Sequence, residues 1–231
     1  PTRKPGKPTT TCLATTRDEA VQKVLNEKYN NQERISVYVK QLDTDRVAAI
    51  NDEKSMYAAS VAKLGVLYYA QERLSQKKLS LSDEYQYTSA VNGFPGAYDP
   101  DGSGKISKMP DDKNYSLENL LKAVAQNSDN VATNILGYYV TNQYDKAFQK
   151  SVDKAAATSW NMDKKELTAR AAGTLMEAVY RQNGDIINYL SSTDYDGERI
   201  SKNIDVPVAH KIGDAYDFKH DVAIVYADSP F

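Results

Sequence analysis

Apolar residues recur at Ala20, Val21, Val24 and Leu25 with charges between them, a spacing that predicts a short amphipathic helix over Asp18 to Asn30. After it, Ile35, Val37 and Val39 alternate with polar or aromatic neighbours. Arg46 to Ile50 follows the turn Leu42-Asp43-Thr44-Asp45, which predicts a hairpin. The middle of the chain switches to helical periodicity, with helices expected over Ser55 to Gln76, Leu117 to Gln126, from near Ser128 onward, and Thr168 to Gln182. Strand patterning returns at Val206 to Ile212 and Val222 to Tyr226. Strands at both ends with helices between them predict an α+β fold: one antiparallel sheet from both chain ends, a helical lobe, and a cleft between the two that would hold a site.

The chain has 231 residues, 41% hydrophobic and 26% charged, enough for one large core or two lobes sharing a cleft. Charge is balanced, 29 Lys+Arg against 31 Asp+Glu, so no net field would draw the chain onto nucleic acid or an anionic membrane. One cysteine, Cys12, and two histidines, His210 and His220, cannot build a disulfide framework or a four-ligand zinc site, and no metal or cofactor is expected. Pro1 to Thr16 are rich in proline, threonine and basic residues, with Leu13 the one large aliphatic side chain. They read as a tether (1–16) ahead of a single domain (17–231), and such a tether suggests an upstream signal or anchor on an extracellular or cell-envelope protein.

From Met56 to Ala70 the sequence reads MYAASVAKLGVLYYA, and a helix apolar all round is buried. Lys63 is the one side chain in this run expected to carry charge. Taken out of water it favours the neutral amine, the form that accepts a proton. Ser60 lies three residues earlier on the same helical face, where the amine can deprotonate its hydroxyl. A place near the helix start would also favour an oxyanion. Ser-x-x-Lys occurs again at Ser75 to Lys78 and Ser151 to Lys154, but among Gln, Lys and Asp, where the lysines are solvated and the serines are surface or capping residues. Burial rather than the pattern singles out Ser60, and the rival reading of Lys63 is a side chain snorkelling to water.

Two further segments carry polar chemistry. Ser128-Asp129-Asn130 precedes the apolar run Val131 to Val140 and by itself reads as a helix N-cap. Lys211-Ile212-Gly213 lies in a predicted strand, whose alternation puts Lys211 and Gly213 on one face and His210 and Ile212 on the other. Gly213 would leave room for a substrate beside the backbone. With His210 turned away, His220 in an expected charged turn Asp217 to Asp221, and no Gly-x-Ser-x-Gly elbow, a Ser-His-Asp triad reads poorly and the lysine mechanism is preferred. Asp99, Asp101, Ser103, Gly104 and Ile106 imitate half of a calcium loop. The twelfth position is Pro110 rather than glutamate, so a Gly-rich turn is the simpler reading.

Taken in order, Ser60-x-x-Lys63, Ser128-Asp129-Asn130 and Lys211-Ile212-Gly213, together with the turn DPDGSGKI at 99–106, resemble the class A β-lactamases and penicillin-binding proteins over about Asp18 to Phe231. The resemblance implies a β-lactamase/transpeptidase-like fold and an acyl-serine intermediate. Ser60 would be the nucleophile, Lys63 its base or a base relay, and Ser128 the hydroxyl that passes a proton to the leaving amine. Asn130 would hold the substrate amide, and Lys211 would attract the substrate carboxylate and keep Lys63 neutral. The N–H groups of Ser60 and Asp214, the latter beside Gly213, would form the oxyanion hole.

Three departures qualify the resemblance. Ile212 stands where the family has Thr or Ser. Between Ala155 and Ala172 the acids are Asp163 and Glu166, and Glu166 is too close to Thr168-Ala169-Arg170, which resembles the opening of the family's next helix, to be the loop glutamate that activates water. The family also has a further strand and a closing helix after the last strand read here, expected from a longer chain or a separate polypeptide. The expected activity is a serine hydrolase or acyltransferase on peptidoglycan-like peptides, amides or β-lactams. The alternatives are a true class A β-lactamase, a non-catalytic sensor or adhesion module, and a serine-dependent glutaminase.

Overall fold

The computed structural model describes residues 17–231; the expected tether lies outside the described residues. The first helix, α1 (Glu19–Tyr29), starts under an Asp18 cap whose carboxylate accepts from Val21 N at 3.0 Å. Its inner face is Gln22 and Leu25, whereas Val24, expected inside, is 48% exposed. The Gln22 amide displaces it because both its ends bond the Ala49 backbone, each at 3.0 Å, so the buried polar group is satisfied. Ala49 belongs to the expected hairpin of β1 (Val37–Lys40) and β2 (Val47–Ile50), with Val37 opposite Ile50.

The expected helix over Ser55 to Gln76 divides into three. Met56–Tyr57 form β3, paired antiparallel with Leu167 and Glu166; Ala59–Ala62 make a 3-10 turn; α2 begins only at Lys63 and runs to Ser75. An α-helix cannot pass through Ala59, whose φ is 49°, and the Ala58 N–H is taken by Lys165 O at 2.6 Å rather than by a helical carbonyl. Tertiary pairing thus overrides a helical apolar pattern. From Lys63 onward α2 is the hub of the core, with Leu64, Val66, Leu67 and Ala70 without exposed surface. Gly65 is required there, since a Cβ would stand 2.9 Å from Trp160 Cζ2.

A short ladder of β4 (Glu84–Gln86) and β5 (Asn114–Ser116) leads into α3 (Leu117–Asn127), and α4 (Asn130–Tyr139) follows. Ser128 is not the N-cap of α4. It ends α3 in the left-handed region, φ 54°, and Asp129 is the cap, its Oδ1 accepting from Ala132 N at 2.8 Å. α5 (Lys146–Ala156) buries Phe148, Val152 and Ala156, spaced by four. β6 (Glu166–Leu167), α6 (Ala169–Gln182, capped by Thr168) and α7 (Asp185–Leu190) complete the helical part, packed around α2 and α3.

The last hairpin is β7 (Val208–Ala215) and β8 (Phe218–Val225). Its turn is Tyr216 and Asp217 alone, so His220, expected in a charged turn, is a strand residue whose Nε2 lies 2.8 Å from Tyr57 O. The architecture is α+β as expected, with small antiparallel sheets and a helical lobe, but the two terminal hairpins are separate two-stranded ladders rather than one sheet. They are linked where Leu42 N donates to Pro230 O at 2.8 Å and Val225 N to Phe231 O at 2.7 Å. Between β1 and β8 runs a groove of about 1500 Å³, lined in part by Val37, Val39, Val222 and Ile224, with α6 packed beneath both strands. Among the described residues, no helix is long and apolar enough to cross a membrane.

Candidate active site

Ser60 is partly exposed in the 3-10 turn, one residue after the left-handed Ala59 and ahead of α2 rather than on its first turn. Lys63, the first residue of α2, has no exposed surface. Its Nζ donates to Ser128 O and Asn130 Oδ1, both at 2.6 Å, and lies 3.4 Å from Ser128 Oγ. Among the described residues no hydrogen bond joins it to Ser60 Oγ; the amine's bonds go to the Ser128 segment. Burial, and then the neighbouring Lys211, hold the Lys63 amine well below the usual lysine range. The snorkelling reading fails because the amine ends among these acceptors and not in water.

Asp129 and Asn130 explain how that segment is held. The Asp129 carboxylate accepts from Lys105 N at 2.6 Å and Ile106 N at 2.9 Å, binding the 99–106 turn to the head of α4. Asn130 N donates to Ser103 O at 2.8 Å and its Nδ2 to Asp99 O at 2.7 Å, while Ser103 Oγ donates to Ser128 O at 2.7 Å. The glycines of this turn are there for close approach: a Cβ on Gly102 or Gly104 would collide with Asn130 Nδ2 or Asp129 Cγ, respectively. The Gly-rich segment is therefore a buttress of the Ser128 loop.

β7 supplies the opposite wall. Lys211, 1% exposed, donates to Ser128 Oγ at 2.8 Å and to Ile212 O at 2.9 Å. Burial brings its amine down to about 7. Ser128 Oγ thus stands between two amines. Gly213 lies against the Ser60 turn so closely that a Cβ would meet Ala58 O at 2.6 Å and Val61 N at 3.0 Å. In a hairpin closed by a two-residue turn, Ala215 and Phe218 exchange both backbone bonds, and alternation then turns the Asp214 N–H away from β8, onto the edge that β7 leaves unpaired. The Asp214 carboxylate is tied to Arg199 at 2.5 Å and Lys219 at 3.2 Å.

The sequence profile of the β-lactamase enzyme family matches residues 16–231. The chain belongs to that family. No curated protein matches the β-lactamase-family chain. Solved structures do: PBP-A aligns with a TM-score of 0.77 at 14% identity, over 94% of this chain and 86% of the other. A point mutant of PBP-A, in an acyl-enzyme complex with penicillin G, aligns at 0.74 and 15%, with the same coverage. A β-lactamase from Chitinophaga pinensis aligns at 0.71 and 18%, over 91% and 87%. At these identities the structures establish the shared fold.

Several residues of this β-lactamase-family site carry no sequence signal. Tyr98 is buried with its ring 4.5 Å from Lys63 Nζ, and the Asn134 amide, one turn after Asn130, clamps its backbone at 2.7 and 2.8 Å. Arg199 donates to His220 O at 2.7 Å and Gly213 O at 3.2 Å, bracing β7 beside Asp214. The Glu166 side chain is exposed on β6; the loop residue that turns inward is its neighbour Lys165, 7% exposed, donating to Gly96 O at 2.8 Å. His210 is buried on the far face of β7, between Asp221 Oδ1 at 3.1 Å and Asp196 Oδ1 at 3.2 Å.

Proposed function

We propose that the chain is an acyl-serine hydrolase or acyltransferase whose nucleophile is Ser60 and whose substrates are peptide-like amides of the cell-wall type or β-lactams. The observation that carries this reading is the position of Ser128 Oγ between the Lys63 and Lys211 amines, at 3.4 and 2.8 Å, with the partly exposed Ser60 in the turn that leads into Lys63. With Lys63 neutral, its two N–H groups serve Ser128 O and Asn130 Oδ1, and its lone pair is available to a hydroxyl proton. Ser60 Oγ attacks the carbonyl carbon as its proton passes to Lys63. The carbonyl electron pair moves to the oxygen, facing the N–H groups of Ser60 and Asp214. When the C–N bond breaks, the leaving nitrogen takes the Ser128 proton, and Lys63 returns its extra proton to Ser128. Asn130 holds the substrate amide and Lys211 attracts its carboxylate, with Ile212 offering no hydroxyl to assist, while Gly213 lets β7 pack against the Ser60 turn.

Persistence of the acyl-enzyme distinguishes this reading from a true β-lactamase. The exposed Glu166 side chain favours a slow release. An exported, envelope-associated location would suit cell-wall substrates. Intact-mass measurement after mixing with a chromogenic β-lactam tests the proposal. One stable adduct, lost in Ser60→Ala, is expected; rapid continued turnover would favour the β-lactamase, ammonia release from glutamine the glutaminase, and no adduct a non-catalytic sensor. An adduct that survives Ser60→Ala would overturn the nucleophile.

A further inference from the structure

Lys165 has an environment that a loop lysine does not ordinarily occupy. It is almost fully buried, its backbone is left-handed at φ 52°, and its carbonyl is committed to Ala58 N at the entrance to the Ser60 turn. Its amine is anchored on Gly96 O, and Gly96, at φ 84°, lets the two loops meet: a Cβ there would stand 2.9 Å from Asp163 Oδ1. The Lys165 and Lys63 amines both lie 4.5 Å from the centre of the Tyr98 ring, so they are no farther apart than twice that distance. Two cations that close repel within a Debye length of about 8–10 Å.

We propose that Lys165 is a positioning residue for acylation of Ser60: its charge, held one aromatic ring from Lys63, opposes protonation of Lys63 and so keeps the base ready. The inference rests on Ser60 and Lys63 acting as described above. The charged groups facing Lys63 are Lys211 from β7, Asp129 at the head of α4, Lys108 after the Gly-rich turn, and Lys165 before β6. Asp129 opposes the three lysines, and its carboxylate is already occupied by three backbone N–H groups. Burial lowers the pKa of Lys165 too, but Asp163 acts the other way, whereas Lys63 has no exposure at all and has Lys211 as a neighbouring amine. Of the two amines, Lys63 is therefore pushed further down and loses its proton first.

The test is the pH profile of Ser60 acylation by a reactive β-lactam, followed by intact mass in the wild type, Lys165→Met, Lys165→Gln and Lys165→Arg. Gln retains a donor for Gly96 O and no charge, so it stands in if the Met variant does not fold. Removing the charge lets Lys63 hold its proton to higher pH. The acid limb moves up in pH, and acylation slows at pH values on that limb while the plateau rate stays the same. Lys165→Arg keeps the wild-type limb. Superimposable profiles for the wild type and the uncharged variants, or an equal loss at every pH, overturn the proposal while leaving the Ser60 reading intact; a wild type that is never acylated overturns both.

Discussion

Ser60 to Lys63 and Ser151 to Lys154 have the same spacing and opposite surroundings. Lys63 is without exposed surface beneath the Ser128 loop, with its pKa driven down, whereas Lys154 is exposed on α5 and Ser151 Oγ donates to Glu72 Oε2 at 2.9 Å. Ser75 and Lys78 are exposed as well. The difference teaches that the spacing contributes only reach. Chemistry comes from what the fold removes, which is water, and what it adds, which is a second amine and a hydroxyl between the two.

That contrast can be broken by exchange of the lysines for methionine. Lys63→Met is expected to slow acylation by about 10²–10⁴, the range for a lost acid–base group, while Lys154→Met changes it by less than about twofold; stopped-flow rates with a chromogenic β-lactam decide. The packing that buries Lys63 is sharpened at Gly65. Gly65→Ala drives a methyl into Trp160 and is expected to cost about 1–3 kcal/mol in urea denaturation.

His210 provides a contrast in sign. Burial lowers its pKa, but the carboxylates of Asp221 and Asp196 outweigh that and leave it raised above 6.5. A group raised in the folded state stabilises fully below its unfolded pKa and loses that contribution as pH rises through the folded value. The stability gap between the wild type and His210→Gln is therefore widest below about pH 6.5 and narrows above it, as read from denaturation midpoints across pH. Lys63 behaves oppositely, its depressed pKa costing stability that is recovered as pH rises towards 10.5. The smallest effect is expected at Glu166: with its side chain in solvent, Glu166→Gln leaves the lifetime of the adduct within about twofold, as followed by mass, and a clear lengthening would return the loop acid to the mechanism.

Regular elements with a long period were legible in the sequence. α3, α6 and both terminal hairpins follow the apolar spacing, because their buried faces are continuous. β3 and β6 were not, since two-residue strands exist only through each other, and pairing them replaced the first turns of an expected helix. α5 carries a weaker signal: Phe148, Val152 and Ala156 sit at helical spacing, but its polar face dominates the composition. At the site, Lys63, Ser128, Asn130 and Lys211 were drawn from motifs, and the fold brings them together. Lys165 lies in the polar run Asp163-Lys164-Lys165-Glu166, where nothing distinguishes one lysine from the next. Its direction is set by a left-handed backbone and by Gly96, nearly seventy residues away, and neither leaves a local trace. Ser128 likewise owes its place to a left-handed residue that a capping rule reads as an ordinary helix start.

Titration of Lys63 itself tests the account most directly, by following its ε-carbon resonance in protein labelled with ¹³C-lysine and assigned through Lys63→Met. A midpoint well below the ordinary 10.5 is expected. A midpoint near 10.5 would contradict the account, because a protonated Lys63 cannot take the proton from Ser60.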